Sequence, residues 1–408
     1  MESISIILGQ NILIIGVVLF AVISTVRNLS ELITLSQKPA APSPTPTKAP
    51  VKVVKKSFAP IDVDCLLHHT SWASNDLTAE QDAIYEVFAA NGMPYHTEKI
   101  IQGTSLTRIV YTLENMKDYN RISRLEKQFR AALNKPEASI SVEGKYINID
   151  FASDLDDTLY IGDMLRNDTT PGAIPIGRSA DGQDVFADIE DLKHILVAGA
   201  SGSGKSVWVQ GMILSLLAKH KDLELYMIDP KVVEFNRYRA IHNCHVVTEA
   251  DKAADLLKNI CNEMDRRYIE IAKAGARDIT GVPGMKRIIV IVDELADLMC
   301  SGQKKQIETC IVRLAQKARA CGIHLVLATQ YPKSDIVTGL IKTNMPTKIC
   351  FAVPTTAASC VMLGKGGAEK LIGKGDMLYQ TEKDIMPRRL QGAMVSDNDL
   401  DYILSMRA

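Results

Sequence analysis

Cysteine occurs in this sequence, but the arrangements that would give it a structural or metal-binding role are missing. The eight cysteines are scattered along the 408 residues, none of them forms a CxxC pair, and no histidine cluster accompanies them. A disulfide-stabilised secreted fold and a zinc site are therefore both disfavoured. We expect buried or free thiols in a reducing compartment.

An excess of charge of either sign is also missing. The 47 Lys and Arg residues nearly balance the 48 Asp and Glu residues, which leaves a formal net charge of −1. A protein that coats nucleic acid without sequence preference is usually basic overall, so the composition disfavours that role. Basic groups confined to a few loops remain compatible with this balance. The length of 408 residues is enough for two domains plus a tail.

Long apolar runs are absent except at the N-terminus, where residues 4–26 are almost wholly apolar. At about 1.5 Å per residue this run would reach roughly 34 Å, which is enough to cross a bilayer core of about 30 Å. A cleaved signal peptide is the alternative, but no Lys or Arg precedes the run and no A-x-A site follows it. Residues 1–30 are therefore predicted to be a single-pass transmembrane anchor.

The stretch that follows the apolar run is rich in proline and lysine. Residues 37–56 contain five lysines and no acidic residue. By the positive-inside rule, these lysines place the rest of the chain in the cytoplasm and the anchor in the inner, cytoplasmic membrane. The prolines predict a disordered or polyproline-like tether over residues 31–62, with a proline-motif ligand as the alternative.

Residues 63–170 are predicted to form a small α/β domain. Helical periodicity runs over Ala79 to Asn91 and over Asp118 to Leu133, while Thr107 to Leu113 and Tyr146 to Phe151 alternate like strands. No catalytic combination of residues stands out in this part of the sequence.

From Ile174 onward, short apolar runs rich in Val, Ile and Leu alternate with helical stretches. Such runs are typical of buried parallel strands; they cover 194–198, 223–228, 288–292, 324–328 and 348–353. Residues 171–408 are therefore predicted to form a RecA-like P-loop motor domain, with a mostly parallel sheet flanked by helices. Ligands are expected at the carboxyl ends of its strands.

The loop after the first of these strands matches G-x-x-x-x-G-K-[ST] in full. Its glycines allow backbone N–H groups to surround phosphate oxygens, and the following helix adds its positive N-terminal dipole. Lys205 is expected on the β- and γ-phosphates of ATP, and the Ser206 hydroxyl on Mg²⁺. The predicted nucleotide-binding residues are Gly199, Ala200, Ser201, Gly202, Ser203, Gly204, Lys205 and Ser206.

Two further strand ends carry candidate catalytic residues. Asp293 follows the strand at 288–292 and is predicted to bind Mg²⁺, while Glu294 is predicted to orient or deprotonate the attacking water. Thr329 and Gln330 follow the strand at 324–328, where they would contact the γ-phosphate or the water; a strand-capping turn is the alternative. Arg313, Lys317 and Arg319 lie on the preceding helix, which is usually a solvated face.

The sequence from about residue 174 to residue 395 resembles the motor of the FtsK/SpoIIIE family of DNA translocases. The resemblance rests on phrases at 194–206, 227–231, 292–299, 313–319, 322–330, 338–344 and 375–379. It implies a hexameric ring that pumps double-stranded DNA through a central pore. It also implies a second ring-forming domain over about 107–187, and it makes Arg319 the candidate arginine acting on a neighbour's nucleotide.

The sequence departs from that family pattern in three ways. We expect one short anchor in place of a multi-span membrane region, and no C-terminal winged-helix module after the motor. Third, two loops lack the family's basic residues: Tyr331 stands where arginine is common, and 354–360 carries no charge. Basic groups on such loops would contact DNA phosphates. The candidate DNA contacts that remain are Lys342, Lys333 and Lys365.

These observations predict a membrane-tethered, ATP-hydrolysing motor that translocates double-stranded DNA. A conjugation coupling or virion-assembly ATPase and a related protein-secretion motor stay open as alternatives. A membrane adaptor that binds nucleotide without hydrolysing it is disfavoured by the intact Lys205, Ser206, Asp293 and Glu294.

Overall fold

The computed structural model describes residues 61–69, 74–103, 106–154, 158–168, 170, 172–220 and 222–407. The predicted anchor and nearly all of the predicted tether lie outside these residues. Within the described part, no helix combines the length and the apolar character needed to cross a membrane.

The first layer of the fold is a four-stranded antiparallel sheet in the order β1-β2-β4-β3. Its core is aromatic: Phe88, Tyr111 and Phe129 are buried, with ring centroids 5.3 Å apart for Phe88–Tyr111 and for Phe88–Phe129. Edge-on ring pairs of this kind add to the free energy gained by burial alone. The elements are α1 (Thr78–Ala90), β1 (Tyr95–Gln102), β2 (Leu106–Leu113), α2 (Met116–Ile122), α3 (Glu126–Leu133), β3 (Ser139–Glu143) and β4 (Tyr146–Ala152).

Two details of this layer differ from the sequence-based expectation. The single helix predicted over 118–133 is divided into α2 and α3 by a 3-10 turn at Ser123–Leu125. The tighter turn eclipses residues three apart, so that both Ile122 and Leu125 reach the core. Strand β1 was not predicted from the sequence. Residues 96–100 are all exposed, so neither face of the strand requires apolar residues and the alternation that indicates a strand is missing.

The second layer is a ten-stranded sheet in the order β6-β5-β14-β13-β12-β7-β11-β10-β8-β9. The strands from β12 to β9 in this order are parallel, and the other four pair antiparallel. Their bounds are β5 Ile174–Ser179, β6 Asp184–Ala187, β7 Ile195–Ala198, β8 Leu223–Ile228, β9 Cys244–Val247, β10 Arg287–Val292, β11 Ile323–Thr329, β12 Thr347–Phe351, β13 Asp376–Gln380 and β14 Arg388–Gln391.

Helices cover both faces of this sheet, which explains why its central strands are apolar throughout. In β7, Ile195 and Val197 face one core while Leu196 and Ala198 face the other, and all four are fully buried. One core is closed by α4 (Ile161–Asn167), α5 (Ile189–Leu192), α6 (Lys205–Lys219) and α12 (Asp397–Ser405). The other is closed by α7 (Ala250–Lys273), α8 (Leu295–Met299), α9 (Lys304–Lys317), α10 (Gly339–Asn344) and α11 (Thr356–Leu363).

The predicted α/β class with a mostly parallel sheet is confirmed, and the sheet is wider than predicted. Four antiparallel strands extend it, and β5 pairs with β14 through Ser179 opposite Leu390 and Arg178 opposite Gln391. Ser179 and Leu390 are about 210 residues apart in the chain, so no local pattern indicates the pairing of β5 with β14.

Buried ion pairs join the two sheets. Arg389 on β14 donates to Asp376 on β13 (2.6 and 2.9 Å) and to Asp150 on β4 (3.0 Å). Asp150 also accepts two hydrogen bonds from Arg108 on β2, at 2.7 and 2.8 Å. Because these side chains are largely shielded from water, the charges depend on one another for compensation.

Candidate active site

The loop between β7 and α6 follows a path that requires glycine at several positions. Gly202 and Gly204 have φ angles of +75° and +108°, a region that favours glycine. A Cβ at Gly199 would lie 2.4 Å from Ser203 Oγ, and one at Gly204 would lie 2.6 Å from the Gly375 nitrogen. The glycines of the motif are therefore needed for the loop to fit its surroundings as well as for its curvature.

Hydrogen bonds from other elements hold this loop in place. The Ala200 N–H donates to the Ala352 carbonyl, and the Gly375 N–H donates to the Ser203 carbonyl, both at 2.8 Å. Within the described part of the chain, the buried Ser203 hydroxyl has no hydrogen-bond partner. Since α6 begins at Lys205, its free N–H groups and helix dipole point toward the same loop. The result is a cradle suited to an anion.

Lys205 and Asp293 are brought together at the base of this cradle. The Lys205 ammonium is buried and donates to the Asp293 carbonyl at 3.0 Å and to Asp293 Oδ1 at 3.2 Å. Burial raises the pKa of the Asp293 carboxyl, and the nearby Lys205 charge offsets only part of that rise. The two residues that the sequence assigns to phosphate and to Mg²⁺ are thus direct neighbours.

Glu294 is fully buried and accepts hydrogen bonds mainly from the end of the adjacent strand β11. Its Oε1 accepts from the Thr329 hydroxyl at 2.7 Å and from the Ala296 N–H at 3.3 Å. The Gln330 N–H lies 3.3 Å from Oε1 and 3.2 Å from Oε2. The carboxyl ends of β10 and β11 meet because these strands are parallel neighbours, and this proximity fixes the carboxylate.

Lys231 also belongs to this site, although no role was predicted for it from the sequence. It follows β8, the other neighbour of β10, and its Nζ lies 3.6 Å from Glu294 Oε2. Burial alone would lower the pKa of Lys231, but the charges of Glu294, Asp297 and Asp293 raise it overall. The strand-end rule that selected Asp293 and Gln330 would have selected Lys231 as well.

A cavity of about 940 Å³ opens beside the phosphate-binding loop. Its walls come from the loop, from Gln330 and from three distant stretches of chain, namely 152–154 with 158–160, 372–375, and 391–394. This volume is at the upper end of the range of about 300–1,000 Å³ for small-molecule sites. These three stretches were not predicted to line the site, because only the tertiary structure brings them to the loop.

Gln330 and Arg319, the two remaining catalytic candidates, lie at opposite ends of strand β11. Gln330 lines the cavity, and its backbone N–H contacts Glu294. Arg319 is exposed in the turn that precedes β11, at the edge of the sheet opposite the cavity. Because β7 and β11 are parallel, Arg319 lies more than a strand length from its own phosphate-binding loop. Any action of Arg319 on a nucleotide therefore requires a second copy of the chain.

The three candidate DNA contacts differ in their surroundings. Lys333 is exposed in the turn after β11, next to Tyr331, whose side chain is also exposed. The Lys342 ammonium donates to the Cys360 carbonyl at 3.0 Å and so links α10 to α11. The Lys365 ammonium lies 2.8 Å from the Met386 sulfur, and burial lowers its pKa. Lys333 is therefore the candidate whose side chain is most open to solvent.

The donors and acceptors around the cradle fit a magnesium-bound polyphosphate. The donors that phosphate oxygens need are present: a buried ammonium, the N-terminal N–H groups of α6 and the Ser203 hydroxyl, which has no partner among the described residues. The Ser206 hydroxyl and the Asp293 carboxylate supply the hard oxygen ligands that Mg²⁺ prefers. The predicted ATP and Mg²⁺ thus match the chemistry of the residues present.

Comparison with known proteins agrees with this geometry. A sequence model of the FtsK/SpoIIIE family matches residues 159–287 and 283–334. The DNA translocase FtsK of Halalkalibacterium halodurans is 46% identical over 253 residues, which cover 57% of this chain and 32% of that protein. FtsK of Streptococcus pneumoniae is 37% identical over 345 residues, or 78% of this chain and 45% of that protein. The chain thus spans less than half the length of these curated relatives.

A solved structure extends the similarity to most of the chain. It is the pCW3 conjugation coupling protein TcpA, in a monomer form with ATPγS. The two share 25% sequence identity with a TM-score of 0.58, and the match covers 81% of this chain and 99% of that one.

Proposed function

The chain carries an FtsK/SpoIIIE family domain, as its sequence predicted, and from this premise we propose that it is an ATP-hydrolysing motor that moves double-stranded DNA. The observation that carries the proposal is the grouping of Lys205 with Asp293 and Glu294 at the carboxyl ends of β7 and β10, the two strands on either side of β11. We propose further that copies of the chain form a hexameric ring around the DNA and that residues 1–30 tether it to the inner membrane.

Each residue of the site has a distinct task in this proposal. The cradle and Lys205 hold the phosphates, while Ser206 and Asp293 hold Mg²⁺, which supplies positive charge beside the phosphates when bound. Glu294 orients the attacking water and accepts its proton. The buried position of Glu294 keeps bulk water away from its carboxylate, and Thr329 and Gln330 fix its direction. Arg319 acts on the nucleotide of the neighbouring copy.

The test of this proposal is stimulation of ATP hydrolysis by double-stranded DNA. We expect the full chain in detergent to hydrolyse ATP faster with DNA of any sequence, and the stimulation to fall steeply with salt because the contacts are to phosphates. Tyr331→Arg should strengthen DNA binding and steepen the slope of log K against log salt by about 1, as one added phosphate contact would. DNA binding is measured by fluorescence anisotropy across a salt series.

Tyr85→Arg is the matched control for that substitution. Tyr85 is 58% exposed and Tyr331 is 57% exposed, but Tyr85 lies on α1, away from the cavity. Equal effects of the two arginines would mean that only overall charge matters. An absence of any stimulation by DNA would contradict the translocase proposal and favour a protein-secretion motor.

A conjugation coupling ATPase is a second candidate, favoured by the similarity to TcpA over 99% of that chain. DNA would stimulate hydrolysis in both cases, so a cellular assay has to separate them. If cells that carry the Lys205→Ala chain lose plasmid transfer but partition their chromosomes normally, the coupling function is supported. The opposite result supports a role in chromosome partition.

The proposed membrane tether predicts the behaviour of a shortened chain. Deleting residues 1–30 should move the protein from the membrane fraction to the supernatant, because the apolar run at 4–26 is then gone. Hydrolysis without DNA should persist, since the described site uses no residue before 61. Fractionation by ultracentrifugation, with an ATPase assay of each fraction, measures both. A shortened chain that still sediments with membranes would contradict the tether.

A further inference from the structure

The two oxygens of the buried Glu294 carboxylate differ in the number of hydrogen-bond donors around them. Oε1 lies within hydrogen-bond distance of three donors, namely the Thr329 hydroxyl and the N–H groups of Ala296 and Gln330. Among the described residues, Oε2 has the Gln330 N–H as its one donor within hydrogen-bond distance and also faces the Lys231 ammonium. A water molecule that needs an acceptor would therefore find it at Oε2, beside Lys231.

Lys231 is the one side-chain cation within 4.0 Å of Glu294 in the described part of the chain. Its Nζ is 3.6 Å from Glu294 Oε2 and 3.7 Å from Asp297 Oδ2, so it bridges two carboxylates on either side of the start of α8. The Lys231 side chain is 41% exposed, whereas that of Glu294 is fully buried. Part of the ammonium thus remains free to donate a hydrogen bond to a bound water.

The turn that carries Lys231 is held firmly by Asp229. The buried Asp229 carboxylate accepts from the N–H groups of Glu234 at 2.9 Å and Phe235 at 3.0 Å. Its carbonyl accepts from the Val232 N–H at 3.2 Å. Pro230 restricts the backbone φ at the position just before Lys231. The turn therefore limits where the Lys231 side chain can point.

Val232 in this turn has an unfavourable backbone conformation that its own burial does not offset. Its φ of +58° is a left-handed value that β-branched residues rarely adopt. Val232 and the next residue, Val233, remain 50% and 72% exposed, so their side chains gain little apolar burial. Such strain persists where the surrounding structure imposes it and is concentrated at functional sites. The turn, with this strained residue, places Lys231 against Glu294.

We propose that Lys231 is a positioning residue for Glu294, one that fixes the direction of the Oε2 oxygen and of the water molecule beside it. The proposal rests on the proposed function, in which Glu294 acts on the attacking water. Lys231 acts through Glu294 and not on the phosphates. It should therefore affect the rate of hydrolysis and leave nucleotide affinity nearly unchanged.

The test compares Lys231→Met, Lys231→Arg and wild type in the full chain in detergent. Lys231→Met should lower kcat on the order of 10-fold to 100-fold, the usual loss when a residue that orients a reactive group is removed. The affinity for a fluorescent, non-hydrolysable ATP analogue and the Tm should change little. Lys231→Arg should recover most of the lost turnover, because it keeps a positive charge at this position. A purely structural role would lower the Tm together with kcat.

Two matched controls address the ion pairs themselves. Lys286→Met removes a lysine that is 45% exposed and paired with Glu224 at 2.7 Å, at the opposite edge of the sheet. Turnover should stay at the wild-type level. Asp297→Asn removes the second partner of Lys231 and should also leave turnover nearly unchanged. A loss in Asp297→Asn equal to that in Lys231→Met would overturn the proposal, because the pair with Asp297 would then be the important one.

The double variant with Glu294→Gln separates this proposal from the function on which it rests. If Lys231 acts through Glu294, adding Lys231→Met to Glu294→Gln should lower the residual single-turnover rate no further. Normal turnover in Glu294→Gln alone would refute the assignment of Glu294 and so the proposed function. If Glu294→Gln is inactive while Lys231→Met is normal, or if the two losses multiply, only the positioning role of Lys231 is overturned.

Discussion

Glu294→Gln is expected to bind ATP as tightly as wild type and to hydrolyse it at least about 100-fold more slowly, since a positioned general base contributes about 10²–10⁴-fold. The amide has nearly the same shape as the carboxylate. Its oxygen can still accept the hydrogen bond that Thr329 donates at 2.7 Å, so the local structure should persist. The amide cannot take a proton from water, and the loss should appear in kcat alone. Single-turnover hydrolysis and equilibrium binding of a fluorescent ATP analogue measure the two quantities separately.

Lys205→Ala is the contrasting variant, and it should lose nucleotide binding as well as hydrolysis. It removes the cation of the cradle and leaves the buried Asp293 without its partner at 3.2 Å.

Arg319→Ala should also be inactive, but for a different reason, since Arg319 lies at the opposite edge of the sheet. Mixed Lys205→Ala and Arg319→Ala chains should regain part of the activity if Arg319 serves the neighbouring copy. No recovery in the mixture would contradict both the trans role and the proposed ring.

Arg389→Met is expected to lower the free energy of unfolding by about 3–5 kcal/mol, the usual cost of removing one partner from a buried ion pair. Arg389 is 12% exposed and donates to Asp376 and Asp150, whose side chains are each 5% exposed. Within the part of the chain that the structure describes, its loss leaves Asp376 with no charged partner and Asp150 with Arg108 alone. Urea titration followed by fluorescence measures the change.

The control for this prediction is Arg266→Met on α7. Arg266 is 53% exposed and pairs with Glu263 and Glu270 at the surface, where exposed pairs contribute at most about 1 kcal/mol. A cost for Arg389→Met no larger than that of Arg266→Met would mean that the buried network contributes little.

Arg389→Met should also weaken ATP binding. Gly375 precedes Asp376, the partner of Arg389, and donates a hydrogen bond to the phosphate-binding loop.

The residues of the cradle could be identified from the sequence because their requirements are local. Curvature of the loop needs glycine, phosphate needs a lysine and helix N–H groups, and all of these lie within 199–206. The buried strands were equally clear, because a strand covered on both faces is apolar at every position. Asp293 and Glu294 follow from the same reasoning, since they come directly after such a strand.

Only the tertiary structure decided which groups surround these residues. Lys231, Thr329 and Glu294 meet because β8, β10 and β11 are neighbours in the sheet. The periodicity of a short segment does not determine the order of the strands. The tertiary structure likewise brings Gly375 into contact with the phosphate-binding loop and places Arg389 between Asp150 and Asp376. The chain alone determined the chemistry available at each strand end. The fold determined which strand ends share a site, because contacts between distant segments depend on the packing of the whole domain.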